Sequence, residues 1–153
     1  QPAERDVLNH TVVVTEVCMG IADTLARHLN IKVNKDYLIA ACLLHDMMKL
    51  FEWKVSGNAV EHTGIPLDHT MLITAELYSR QFPEEIVHIV ASHAGEHGTT
   101  PPRTIEAFIL HNVDSMFSVI EHQSSISKSS KQIPVLLLDE EALKKLRGKV
   151  EEK

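Results

Sequence analysis

The chain has 153 residues, 44% of them hydrophobic and 24% charged, with a formal net charge of −6 at pH 7. That length suits one domain burying about two-thirds of its unfolded surface, and the negative charge argues against a nucleic-acid binder that works by bulk electrostatics. The deficit is uneven, because from Ser124 onward seven Lys or Arg face five acids, so this tail is net +2 and the remainder −8.

In chain order, residues 5 to 29 are expected to be a helix, since His10, Val14, Val17, Ile21, Leu25 and His28 recur at steps of three and four. Asn34 is placed to cap a second helix running to Lys49. Its apolar run Leu38-Ile39-Ala40-Ala41-Cys42-Leu43-Leu44 ends on His45-Asp46. Residues 52 to 66 hold Gly57, Asn58, Gly64 and Pro66 without helical periodicity, and read as a long loop where a lid or substrate loop belongs. A third helix over about 67 to 81 puts His69, Ile73 and Leu77 on one face. Pro83 opens a fourth at its favoured first position, with Ile86, Ile89, Val90 and His93 sharing a face.

Ala94 to Pro102, with two glycines and two prolines, reads as a loop. The fifth helix, about Thr104 to Glu121, aligns Ala107, Leu110, Asp114 and Phe117. Ser124 to Lys131 is Ser/Lys-rich and is read as a loop. A short apolar segment follows, and Asp139 caps a last helix with a basic C-terminal half. The expected fold is an all-α bundle of about six helices. Residues 1–123 form the main domain, and 124–153 pack on or extend it. The apolar segment at 135 to 138 offers a surface for homo-oligomer pairing.

Cys18 and Cys42 fall within apolar helical runs and read as buried reduced thiols, which points to the cytoplasm. No apolar run approaches the ~20 residues of a membrane span, so no membrane partner is expected.

Four helices each place a metal-competent group on or at the end of the inward face: His10, His45 with Asp46, His69, and Asp114. His93 adds another at the end of a fifth element. A lone inward histidine is usually a satisfied core residue. Six such groups would each have to be desolvated without a charge partner, and one or two shared cations explain them together. Imidazole and carboxylate without thiolate suit Mn, Fe, Ni, Co or Zn and argue against a structural zinc-thiolate site.

His10, His45-Asp46 and Asp114, taken in order, resemble the H…HD…D signature of the HD-domain metal-dependent phosphohydrolases. His69 and His93 resemble the extra ligands of the binuclear members. The likeness covers about Val7 to Phe117. Ala91-Ser92-His93-Ala94-Gly95-Glu96, Gly98-Thr99, and Pro102 through Asp114 are similar to the HD domain of the manganese-dependent 3′-to-5′ exoribonucleases. A weaker likeness runs to the HD-type diadenosine tetraphosphate hydrolases. Ala94 stands where the exoribonuclease pattern has a second consecutive histidine, and Met47-Met48 replaces its usual small or branched pair.

The resemblance implies hydrolysis of a phosphoester by two-metal chemistry, on a phosphorylated small molecule of nucleotide type or a short oligonucleotide. Asp46, whose carboxylate has two oxygens, is the natural bridging ligand and catalytic residue. Lys49, three residues on, lies on nearly the same helix face and is a candidate phosphate contact. Arg103 is another, and His62 and His97 in the two flanking loops are candidates to meet substrate and donate a proton. Two other readings fit the same ligand set, a di-iron oxygenase and an inactive metal- or nucleotide-binding module.

Overall fold

The computed structural model describes residues 7 to 129 except 58, 96 and 97. Its elements are α1 (Val7–Leu29), α2 (Lys35–Leu44), α3 (Lys49–Glu52), β1 (Trp53–Ser56), β2 (Ala59–His62), α4 (His69–Ser79), α5 (Glu84–Ala91) and α6 (Ile105–Ser129). α2 is the central rod: it packs against α1, α5 and α6, while α4 lies on α5 and α3 touches α4 and β1. Its own composition explains that place. Leu38, Ala41 and Cys42 are fully buried, and the small Ala41 and Cys42 side chains allow neighbouring helices a close approach.

The helix ends follow local chemistry. Asn34 caps α2 by accepting from the Tyr37 N–H, and Asp68 caps α4 by accepting from the Met71 N–H. Asn30 (φ 53°) closes α1 and Gln81 (φ 59°) closes α4 in left-handed turns. Pro83 is the N-cap of α5 rather than its first residue.

The structure corrects four further expectations. The buried face of α1 is His10, Thr11, Val14, Cys18 and Ala22, so the inward stripe is rotated towards the smaller side chains and His28 is exposed. The second helix stops at Leu44 instead of Lys49. Beyond it the Met47 N–H bonds the Leu44 carbonyl and the Lys49 N–H the Asp46 carbonyl, the tighter i→i+3 pattern common at helix ends. Residues 53 to 62 are an antiparallel hairpin, not a structureless loop, because Trp53 and Val55 alternate with Lys54 and Ser56 before a turn at Gly57 (φ 61°). Finally, α6 continues through the 123/124 boundary to Ser129. The predicted helix opened by Asp139 and the apolar segment before it lie outside the described residues.

The fold is therefore mainly α-helical as expected, with one small sheet. Cys18 and Cys42 are buried free thiols. Their mutual contact first and burial second push the Cys42 thiol far above its usual range, so it is inert at neutral pH. No helix among the described residues is long and apolar enough to cross a membrane.

Candidate metal centre

The tight turn that ends α2 puts two adjacent residues, His45 and Asp46, into the middle of the bundle, both fully buried. α1 brings His10 to them, α6 brings Asp114, the first residue of α4 is His69, and the turn after α5 carries His93. Four imidazoles surround one carboxylate. Asp46 Oδ2 is 3.7 Å from His10 Nε2 and 3.5 Å from His45 Nε2, while Oδ1 is 3.6 Å from His69 Nε2 and 3.9 Å from His93 Nε2. These separations are too long for hydrogen bonds. They approach the roughly 3 to 3.5 Å that separates two donors each about 2.1 Å from one ion.

Every imidazole is anchored on its far side. His45 Nδ1 donates to the Cys42 carbonyl and His93 Nδ1 to the Val90 carbonyl, each at 2.7 Å. His69 Nδ1 donates to Glu52 Oε2 at 2.8 Å, and His10 Nδ1 to Glu121 Oε1 at 2.9 Å. A carbonyl or carboxylate only accepts, so each Nδ1 carries a proton and each Nε2 is aimed at the centre, where His10 Nε2 also hydrogen-bonds Asp114 Oδ1. Metal-binding histidines are held in this way.

The donor atoms fall into two groups sharing Asp46: His10, His45, Asp46 and Asp114, and Asp46, His69 and His93. His45 Nε2 is buried with no hydrogen-bond partner among the described residues, which is costly unless something else satisfies it. A divalent cation in each group fits these donors.

The electrostatics agree. Burial acts to raise the Asp114 carboxyl, but His10 (3.0 Å) and His45 (3.7 Å) outweigh it and hold the acid far below its ordinary range. Burial likewise opposes charge on His45, yet the Asp114 and Asp46 carboxylates outweigh it and raise its pKa. Asp46 is held below the carboxylate range against its own burial, by His45 and Lys49. His93 is pushed down to about 4, by burial first and the His45 charge second. With no ion bound, the proton on His45 and the Lys49 ammonium supply positive charge that these acids call for.

Of the other candidates, Lys49 joins the centre, its Nζ 2.7 Å from Asp46 Oδ2. His62 is at its margin, with Nε2 3.8 Å from Glu52 Oε1. Arg103 is exposed; its backbone N–H donates to His88 Nε2, and its charge, after burial, lowers the His88 pKa. His97 lies outside the described residues.

Three supporting residues escaped the sequence reading. Glu52 and Glu121 orient His69 and His10. The third is Gly95, which closes the turn after His93 at φ +59°. A Cβ there would lie 2.0 Å from His111 Cε1, and His111 Nδ1 donates to the His93 carbonyl at 2.8 Å. Gly95→Ala is therefore expected to strain the backbone and displace His111, lowering the melting temperature by roughly 5–10 °C and metal affinity about tenfold. Thermal melts and metal titration of the variant check this.

The HD domain family model matches residues 7–117. The chain belongs to the HD domain family. It is 43% identical over 119 residues to a protein of Methanocaldococcus jannaschii named dihydroneopterin 2',3'-cyclic phosphate phosphodiesterase, covering 76% of this chain and 48% of the relative. It is 31% identical over 136 residues to the 3'-5' exoribonuclease YhaM of Listeria welshimeri, covering 80% and 41%. The YhaM protein of Listeria monocytogenes is 31% identical over 135 residues, with the same coverage. The chain thus spans less than half the length of these curated relatives. No solved structure matches. The relatives are named as a phosphodiesterase and an exoribonuclease, and the HD domain with buried groups able to hold metal that was read from the sequence is present in this chain.

Proposed function

We propose that this HD domain hydrolyses a phosphodiester in a small molecule of nucleotide type, with a cyclic phosphate as the leading substrate class. The observation that carries the reading is the position of Asp46, each of whose oxygens faces two anchored imidazoles. His10, His45 and Asp114 would hold one ion, His69 and His93 the other, and Asp46 both. Such a pair, when bound, supplies Lewis-acid charge and a strong nucleophile near neutral pH.

The chain's own groups do the rest. The Nδ1 anchors keep the ligands rigid, so little reorganisation is needed as charge develops on phosphorus. Lys49, the charged donor held beside Asp46, is placed to meet a non-bridging phosphate oxygen. His62, at the rim beside Glu52, is placed to hand a proton to the departing oxygen. Buried walls around Asp46 exclude bulk water and keep these interactions strong. The more similar relative is named for a cyclic phosphate substrate, which favours a small diester over an RNA chain.

The test is a metal analysis with a hydrolysis screen of nucleoside 2',3'-cyclic phosphates and bis-p-nitrophenyl phosphate, before and after chelation. Chelated protein is expected to lose turnover, and one of Mn, Fe, Ni, Co or Zn to restore it. Hydrolysis that survives complete ion removal would count against the reading.

A further inference from the structure

We infer that one face of the β1–β2 hairpin is the cradle for a planar heteroaromatic ring of the substrate, with Trp53 as the stacking residue. The inference rests on the phosphodiester reading above and assigns the far end of the same substrate. The register pairs Trp53 with His62 and Lys54 with Glu61, so the hairpin has two unlike faces. Lys54, Ser56 and Glu61 make one face polar, with opposite charges directly across the strands. The other carries Trp53, Val55 and His62, and it is uncovered: Trp53 is 45% exposed and Val55 67%. A two-stranded hairpin is marginal by itself, and an apolar face left in water beside a reactive centre marks a binding surface.

Two contacts tie this face to the metal centre. Glu52 Oε2 accepts from His69, and Glu52 Oε1 is 3.8 Å from His62 Nε2. The Thr63 N–H and hydroxyl both donate to the Glu52 carbonyl, locking the end of the hairpin to the same residue. Trp53 follows Glu52 directly, and its ring meets His62 edge-on at 5.4 Å and 86°. That contact fixes the indole while leaving it open to solvent, the arrangement a stacking ligand needs. A phosphodiester at Asp46 and His69 therefore extends across His62 towards Trp53, and a flat ring is the group that an exposed indole binds best.

Trp53 is the single tryptophan of the chain, so its fluorescence reports the cradle without turnover. Adenosine 2',3'-cyclic phosphate added to the metal-loaded chain is expected to quench it saturably, and glycerol cyclic phosphate, which has no ring, is not. In Trp53→Ala the ratio of kcat/KM for the ring-bearing over the ringless substrate is expected to fall about tenfold, and Trp53→Phe to restore most of it. Equal quenching by both ligands, or an unchanged ratio in Trp53→Ala, would overturn the inference. An unchanged ratio accompanied by loss of a dimer would give the face to a second copy of the chain. Absence of all turnover in the wild type would defeat the phosphodiester reading alone, while saturable quenching would still support the ring cradle.

Discussion

Asp46→Ala is expected to reduce hydrolysis by roughly a thousandfold or more and to remove both ions rather than one. The asymmetry comes from geometry. His69 and His93 belong to one donor group and His10, His45 and Asp114 to the other, but Asp46 belongs to both. Losing a single charge-stabilising donor commonly costs about 10²–10³ in rate; here the cations go too. The fold should survive the change. Lys49, the ammonium left without Asp46, is already 14% exposed and can turn its head to water. Ligand binding to the native state stabilises it by about 2.7 kcal/mol at a hundred times Kd, so added metal should raise the melting temperature of the wild type and leave Asp46→Ala where it was. His69→Ala is expected to keep one ion and part of that rise. Wild-type metal content and activity in Asp46→Ala would end the two-group description of the site.

Where sequence reading succeeded, the signal was periodic and local. His10, His69 and Asp114 share helix faces with buried apolar residues such as Val14, Ile73 and Leu110, so their inward direction follows from a period of 3.6. Asp46 is different: its bridging role was read from the two oxygens of its carboxylate, because no periodicity distinguishes a residue shared by two donor groups from one belonging to a single group. That depends on the turn at 45–48, whose i→i+3 bonds depart from the helix assumed there. Glu121 was missed because its partner is 111 residues away in sequence. A hint existed, since it lies two helical turns beyond Asp114 on the same face. Glu52 carried no hint at all: it orients His69 only because α3 and the hairpin bring the chain back past α4. The hairpin itself was legible, with a β-branched and aromatic alternation running up to Gly57, but the glycines and Pro66 around it weighed more heavily. Arg103 was chosen by resemblance alone, and its backbone N–H is used at the entry to α6, where it donates to His88.

Metal loading is expected to occur in two steps with pH, the His45 group filling at higher pH than the His93 group. Both rings bind a cation only when Nε2 carries no proton, and they stand on opposite sides of the ordinary histidine value of 6.5. His93 is held down at about 4 by burial and the His45 charge, so across the neutral range it has no proton to displace. His45 is raised because Asp114 and Asp46 outweigh its burial, so an ion entering there must expel a proton. Below the raised value, apparent affinity at that group should climb about tenfold per pH unit for the one proton released.

The sign for stability follows from the same shift. A raised folded value means that His45 contributes stability which is complete below 6.5 and lost as pH rises through that raised value. Asp46 and Asp114, held low, contribute stability that is present above 3.8 and lost only as pH falls through their depressed values. The metal-free chain should thus lose melting temperature on the alkaline side, and the loaded chain should not, so the gap between them widens as pH rises. Ion content per chain after dialysis between about pH 5 and about pH 9, with calorimetry in two buffers to count the released proton, measures both effects. Simultaneous loading of the two groups, with no proton released, would mean that the carboxylates do not hold His45 charged, and the electrostatic account of the centre would fall with it.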